Sequence, residues 1–177
     1  FSTLTKEAVA NLDATGLDTE KSKSAFQAVA RESAKAISSS KSIDSTFVAS
    51  ALAASAGGST EGLSDSGIPE QEIIDSKLTD VVLAETLDSL ASVDKEQISD
   101  SARLEALGAV TAGVVEKVDA VLKDPSARKN AARDLVKKAA KKVDEVGLTQ
   151  NSSVIKAAVK QIATSSTESL KNAGLSE

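Results

Sequence analysis

Apolar residues recur along this chain at spacings of three and four, hardly ever in strict alternation. The pattern therefore predicts helices throughout and no sheet. Phe26, Val29, Ala30, Ser33 and Ile37 fall on one stripe of a helix opened by Asp18 or Thr19. The stretch before it, "STLTKEAVANLDATGL", reads as a first helix capped by Ser2 or Thr3. Gly16 closes it, because a residue without Cβ takes the left-handed turn that ends helices, and Leu17 supplies the hydrophobic latch.

A third helix opens at Ser42 or Asp44, buries Phe47, Val48, Ala51 and Leu52, and ends at Gly57 and Gly58. The stretch "GGSTEGLSDSGIP" then combines repeated Gly with Ser, Asp and Pro, and reads as a long loop. Pro69 suits the first turn of a fourth helix, with Glu70 and Glu72 at its positive end. Ile73, Ile74, Leu78, Val81, Val82, Leu87 and Leu90 cover more than a narrow stripe, so this helix is expected to be central. Asp94 and Gln97 form a capping-box pair for a fifth. Its apolar series Leu104, Leu107, Val114, Val118 and Val121 is completed by Thr111. Gly108 and Gly113 inside that series cost about 1 kcal/mol each relative to Ala, and close packing of a neighbouring helix is the expected compensation.

The sixth helix is the clearest. Asp124 caps it, Pro125 occupies its first turn, Leu135, Val136, Ala139, Val143 and Val146 line one face, and Gly147 closes it. A last helix follows a cap between Thr149 and Ser152, carries Ile155, Val159, Ile162 and Leu170, and closes at Gly174. The expected fold is thus an all-α bundle of six or seven amphipathic helices with short Gly-closed connections. Residues 1–177 form a single helical domain, and the Gly/Ser-rich loop at 57–68 is where it would subdivide.

Composition then narrows the chemistry. The chain has no His, Cys, Met, Trp or Tyr, which removes the proton shuttle of neutral pH, the thiolate nucleophile and the soft metal ligands. No catalytic residue, cofactor site or metal site is expected. Acid pairs such as Glu70 with Glu72, or Glu61 with Asp65, lack the alternating oxygen ligands of a calcium loop. Serines such as Ser22, between Lys21 and Lys23, have no histidine to activate them. The missing residues are also the readily oxidised ones, a composition that suits a long-lived exposed protein. Without Met the chain does not start at an initiator residue, so Phe1 is expected to be a processed N-terminus or a fragment edge, and a secreted or extracellular-surface location is expected. Asn151 begins an Asn-Ser-Ser glycosylation sequence that also serves as a helix cap.

Charge adds one asymmetry. Arg128, Lys129, Arg133, Lys137, Lys138, Lys141 and Lys142 crowd the sixth helix, against Asp124, Asp134, Asp144 and Glu145, while the whole chain carries −5. Without stacking aromatics, and with an acidic remainder, a nucleic-acid footprint is not expected. These seven residues are instead expected to meet an acidic face of another copy. The ends of the chain agree with that expectation: "NAGLSE" at 172–177 resembles the stop-and-start stretches at 14–22 and 145–153, and joined to Phe1 it leads into a new helix. The expected function is a non-enzymatic structural or self-assembling helical protein, a subunit of an extracellular filament, surface layer or tandem-repeat fibre. The alternative is an amphipathic bundle that binds a lipid or membrane surface, weakened by the near absence of aromatics.

Overall fold

The computed structural model describes residues 1–12, 16–40, 44–94, 98–143 and 152–172. Every regular element among them is helical: α1 Ser2–Ala10, α2 Thr19–Ser38, α3 Ser45–Gly62, α4 Glu70–Asp75, α5 Leu78–Ser92, α6 Asp100–Glu116, α7 Val118–Val121, α8 Pro125–Lys141 and α9 Ser152–Asn172. The all-helical expectation holds, and the finer division differs from six or seven. Lys77, in the left-handed region at φ 49°, separates α4 from α5, and Lys117 separates α6 from the single turn of α7.

Helix starts follow the side-chain chemistry more closely than helix ends. Asp18 accepts from the Lys21 amide at 2.9 Å, and Asp124 from the Ala127 amide at 2.6 Å with Pro125 in the first turn. Ser99, not Asp94, caps α6 by accepting from the Ala102 amide; Gln97 lies outside the described residues. Phe1 stands at the cap of α1 without a side-chain bond, in place of Ser2 or Thr3. Ends are mostly not glycine: Asn11, Ser39, Ser76, Lys117 and Lys142 stop their helices in right-handed geometry. Gly16 does adopt a left-handed φ of 63°, but in the connection beyond the end of α1, and Gly67 does so at 71°. Gly147 and Gly174 lie outside the described residues.

The largest correction concerns 57–68. Gly57 and Gly58 do not end α3, which runs through them to Gly62 and tightens into a 3-10 turn at Leu63–Asp65. The reason is the approach of two neighbours. A Cβ on Gly62 would lie 2.6 Å from the Lys6 carbonyl oxygen of α1, and one on Gly113 of α6 would lie 2.8 Å from the Ala53 carbonyl oxygen of α3. The small residues of α3 are thus contact surfaces on two sides, as expected for Gly113 in α6.

These contacts order the helices into two layers. In the first, α1 lies on α3, α3 on α6 and α6 on α9; in the second, α2 lies on α5 and α5 on α8. In the first layer α1, α3 and α6 run in the same sense, and in the second α5 and α8 do. Along α3, Gly58 and Gly62 meet Ser2 and Lys6, while Ala53 and Glu61 meet Gly113 and Lys117. Along α5, Asp80 and Asp88 meet Lys138 and Lys142. The chain therefore passes from first layer to second three times before α9 returns it to the first. Two of the three passes, after α1 and after α3, share a sequence pattern that also recurs within residues 166–177. Leu12, Leu63 and Leu170 each precede by four residues a Gly joined to Leu or Ile, and "STEGLSDSGIPE" at 59–70 matches "STESLKNAGLSE" at 166–177 in six of twelve positions. Both matching stretches begin inside first-layer helices, α3 and α9.

The core between the layers is aliphatic, with Phe26, Ile37, Leu52, Leu83, Leu87, Leu90, Leu107, Leu135 and Ile162 all buried. Phe47 departs from its predicted burial: it is 53% exposed and meets Phe1 edge-on at 6.4 Å. The least expected core member is Arg103, fully buried at the start of α6. Its guanidinium donates to the carbonyls of Leu90 and Val93, where α5 ends, so it satisfies carbonyls that a helix terminus leaves open. Burial lowers its hold on the proton, and the nearby Asp100 and Asp94 oppose that effect.

Candidate functional site

The helix that carries the seven basic residues is fixed by its own sequence. Asp124 and Pro125 start α8, and Ala132, Leu135 and Ala139 bury one side of it. With that side fixed, side chains at intervals of four along the opposite side must face water. Lys129, Arg133, Lys137 and Lys141 occupy those positions and are exposed. They form a stripe, and Arg133 has Asp134 beside it at 3.6 Å.

The other three predicted members turn inward. Arg128 donates to the Lys123 carbonyl at 2.7 Å, at the turn into α8. Lys142 reaches Asp88 at 2.7 Å, and Lys138 lies 3.8 Å from Asp80. The basic face is therefore two groups with different work: three residues hold α8 to the turn before it and to α5, and four face solvent.

A groove of about 320 Å³ opens where α4 and α5 meet α8. Ile73, Ile74, Leu122, Ala127 and Ala131 supply apolar walls, and Lys77, Asp80, Asp124 and Asp134 the charges. Burial pushes the Asp80 carboxyl above its ordinary proton affinity; Lys138 and Lys77 pull it down and Asp134 adds to the rise. Asp124 is engaged in capping α8. Among the described residues no group of three or more acids could hold a metal ion, and no helix is long and apolar enough to cross a membrane.

The acid pairs considered from sequence are not brought together as sites. Glu61 ties three helices, accepting from Lys6 at 2.7 Å and Lys117 at 3.1 Å, and these hydrogen bonds hold its carboxyl below the usual range. Asp65 is exposed in the 3-10 turn. Glu72 binds Lys23 at 2.6 Å, and Glu70 accepts from the Lys123 amide at 2.7 Å, joining α4 to the turn before α8. Lys21 pairs with its own cap Asp18, and Ser22 is buried. Asn151 lies outside the described residues.

One feature escaped the sequence reading. The solvent side of α6 carries Ser101, Glu105 and Glu116, with half-buried Ala109 and Ala112 between them and exposed Asp119 just beyond. Its signal was an interval of eleven residues between two glutamates, three turns of one helix face, which is visible only once the buried side is known. No protein-family model matches the chain, and no curated protein is significantly similar to it in sequence.

Proposed function

We propose that the protein is a non-enzymatic, self-associating structural subunit of an extracellular filament, surface layer or tandem-repeat fibre. The observation that carries this reading is the separation of charge. Residues 125–177 hold ten Lys and Arg against five Asp and Glu, net +5, whereas residues 1–124 hold eleven against twenty-one, net −10. α8 and α9, in contact with each other, make the cationic part, and the α8 stripe presents it to solvent. Copies bearing opposite charge on different surfaces attract one another in staggered orientations. A chain free of His, Cys, Met, Trp and Tyr suits such a structural role better than one in catalysis.

The test is size-exclusion chromatography with light scattering, followed by negative-stain microscopy, across salt concentrations. The expected result is assembly at low salt that dissolves as salt screens the charges. A monodisperse monomer at high concentration in low salt overturns the reading.

A second reading, attachment to a lipid surface, is favoured by the exposed pair Phe1 and Phe47, in edge-on contact, with Leu4 also exposed on α1. Flotation with liposomes tests it, and protein left at the bottom with anionic vesicles rejects it.

A further inference from the structure

We infer that the occupant of the α8 stripe is the solvent face of α6 on a second copy of this chain, so that copies stack with the second layer of one against the first layer of the next. The inference rests on the self-association proposed above and names its two surfaces. On one side stand Arg133, Lys137 and Lys141, with Lys129 a turn before them. On the other stand Glu105, Glu116 and Asp119.

Dimensions agree as well as signs. Lys129 to Lys141 spans about 18 Å of helix and Glu105 to Glu116 about 16 Å, at 1.5 Å per residue. Between the two glutamates the face of α6 is Ala109 and Ala112, small enough for another helix to approach while long Lys and Arg side chains reach around it. The same device already operates inside the molecule, where small residues let α1, α3 and α6 come close and Glu61 pairs with a lysine from each neighbour. Exposed Lys156 and Lys160 on α9, next to α6 in the same layer, repel the stripe on that side and so favour docking along α6 and toward α3.

α6 and α8 belong to different layers, so their solvent faces look away from each other. A contact between them uses unlike surfaces and leaves one of each unused on every pair. Association of that kind is heterologous and continues into an open stack unless its rotation closes a ring.

The experiment uses two double variants of the full chain, K137E/K141E and E105K/E116K, all at exposed positions, with helix content checked by circular dichroism. Each alone should raise the concentration needed for assembly by about tenfold or more, since K137E/K141E cancels the net charge of the stripe and E105K/E116K sets lysines against it. Mixed in equal amounts they should assemble again, because the wild-type stripe of the E105K/E116K variant meets the wild-type α6 face of the other, and the carboxylates introduced at 137 and 141 can pair with the lysines introduced on α6. Wild-type protein that never assembles overturns both the function and this inference. Assembly that survives E105K/E116K, or is not restored by mixing, overturns only the assignment of α6. Binding of the monomer to anionic vesicles that K137E/K141E abolishes makes the stripe a lipid contact and likewise overturns it.

Discussion

Two carboxylates show how burial and partners set opposite signs at the scale of single residues. Glu61 receives hydrogen bonds from Lys6 and Lys117, which lower its proton affinity in the folded state. Its contribution is therefore present above the unfolded value near 4.5 and lost as pH falls through the lower folded value. Asp80 is raised by burial in the groove, with Lys138 at 3.8 Å only partly compensating. Between its ordinary 3.8 and its higher folded value the folded state holds more protons than the unfolded, so ionising Asp80 costs stability as pH rises through that window. Glu61→Gln should therefore weaken the protein at neutral pH, and Asp80→Asn should strengthen it. Both differences from wild type should shrink toward zero in acid, for Asp80→Asn below 3.8. Urea midpoints measured across pH check this, and two variants shifting the midpoint in the same direction at neutral pH would contradict it.

At the scale of elements, α3 and its glycines decide how closely the first layer packs. Replacing Gly by Ala inside a helix ordinarily gains about 1 kcal/mol. Here a Cβ on Gly62 would sit 2.6 Å from the Lys6 carbonyl oxygen and 2.8 Å from the Val9 Cβ, so α1 would have to move. Gly62→Ala should therefore destabilise by about 1–3 kcal/mol, the usual cost of overpacking, and should speed tryptic cleavage after Lys6. A gain in stability would show that α1 is held elsewhere. The same glycines explain where sequence reasoning failed. "GGSTEG" carries the residues of a loop, and nothing local announces that two other helices need its backbone bare. α2 and α8 were legible because each has one wet face, so their apolar positions repeat on one side; α3 is covered on several sides and has no such stripe. Phe47 was misplaced for a related reason, since its neighbour Val48 took the buried position. For the site, the seven basic residues were legible as a group. Their division into an outward stripe and inward ties was not, because it depends on Asp80 and Asp88 of α5 lying opposite Lys138 and Lys142.

For the whole molecule, a stack in which each helix touches mainly its neighbours has a distribution of stability, not one value. α3 and α6 are each flanked on both sides within their layer, whereas α1 and α9 have one neighbour there. Opening α1 breaks its contacts to α3, chiefly Thr5 to the Ser55 carbonyl, Lys6 to Glu61 and the burial of Val9. Opening α3 would release α1 and uncover α6 together. Hydrogen exchange read by mass spectrometry should accordingly rank α3 and α6 slowest, with α1 and α9 faster, and the order should persist in mild denaturant as the ends open first. Self-association through α6 and α8 would slow exchange in both of those helices and leave α1 unchanged, because α1 is not part of that contact. Measured at one salt concentration, on either side of the protein concentration at which assembly begins, the exchange of α1 is then an internal reference. If α1 amides exchange as slowly as those of α3, the molecule opens as one unit, and the layered stack does not govern its stability.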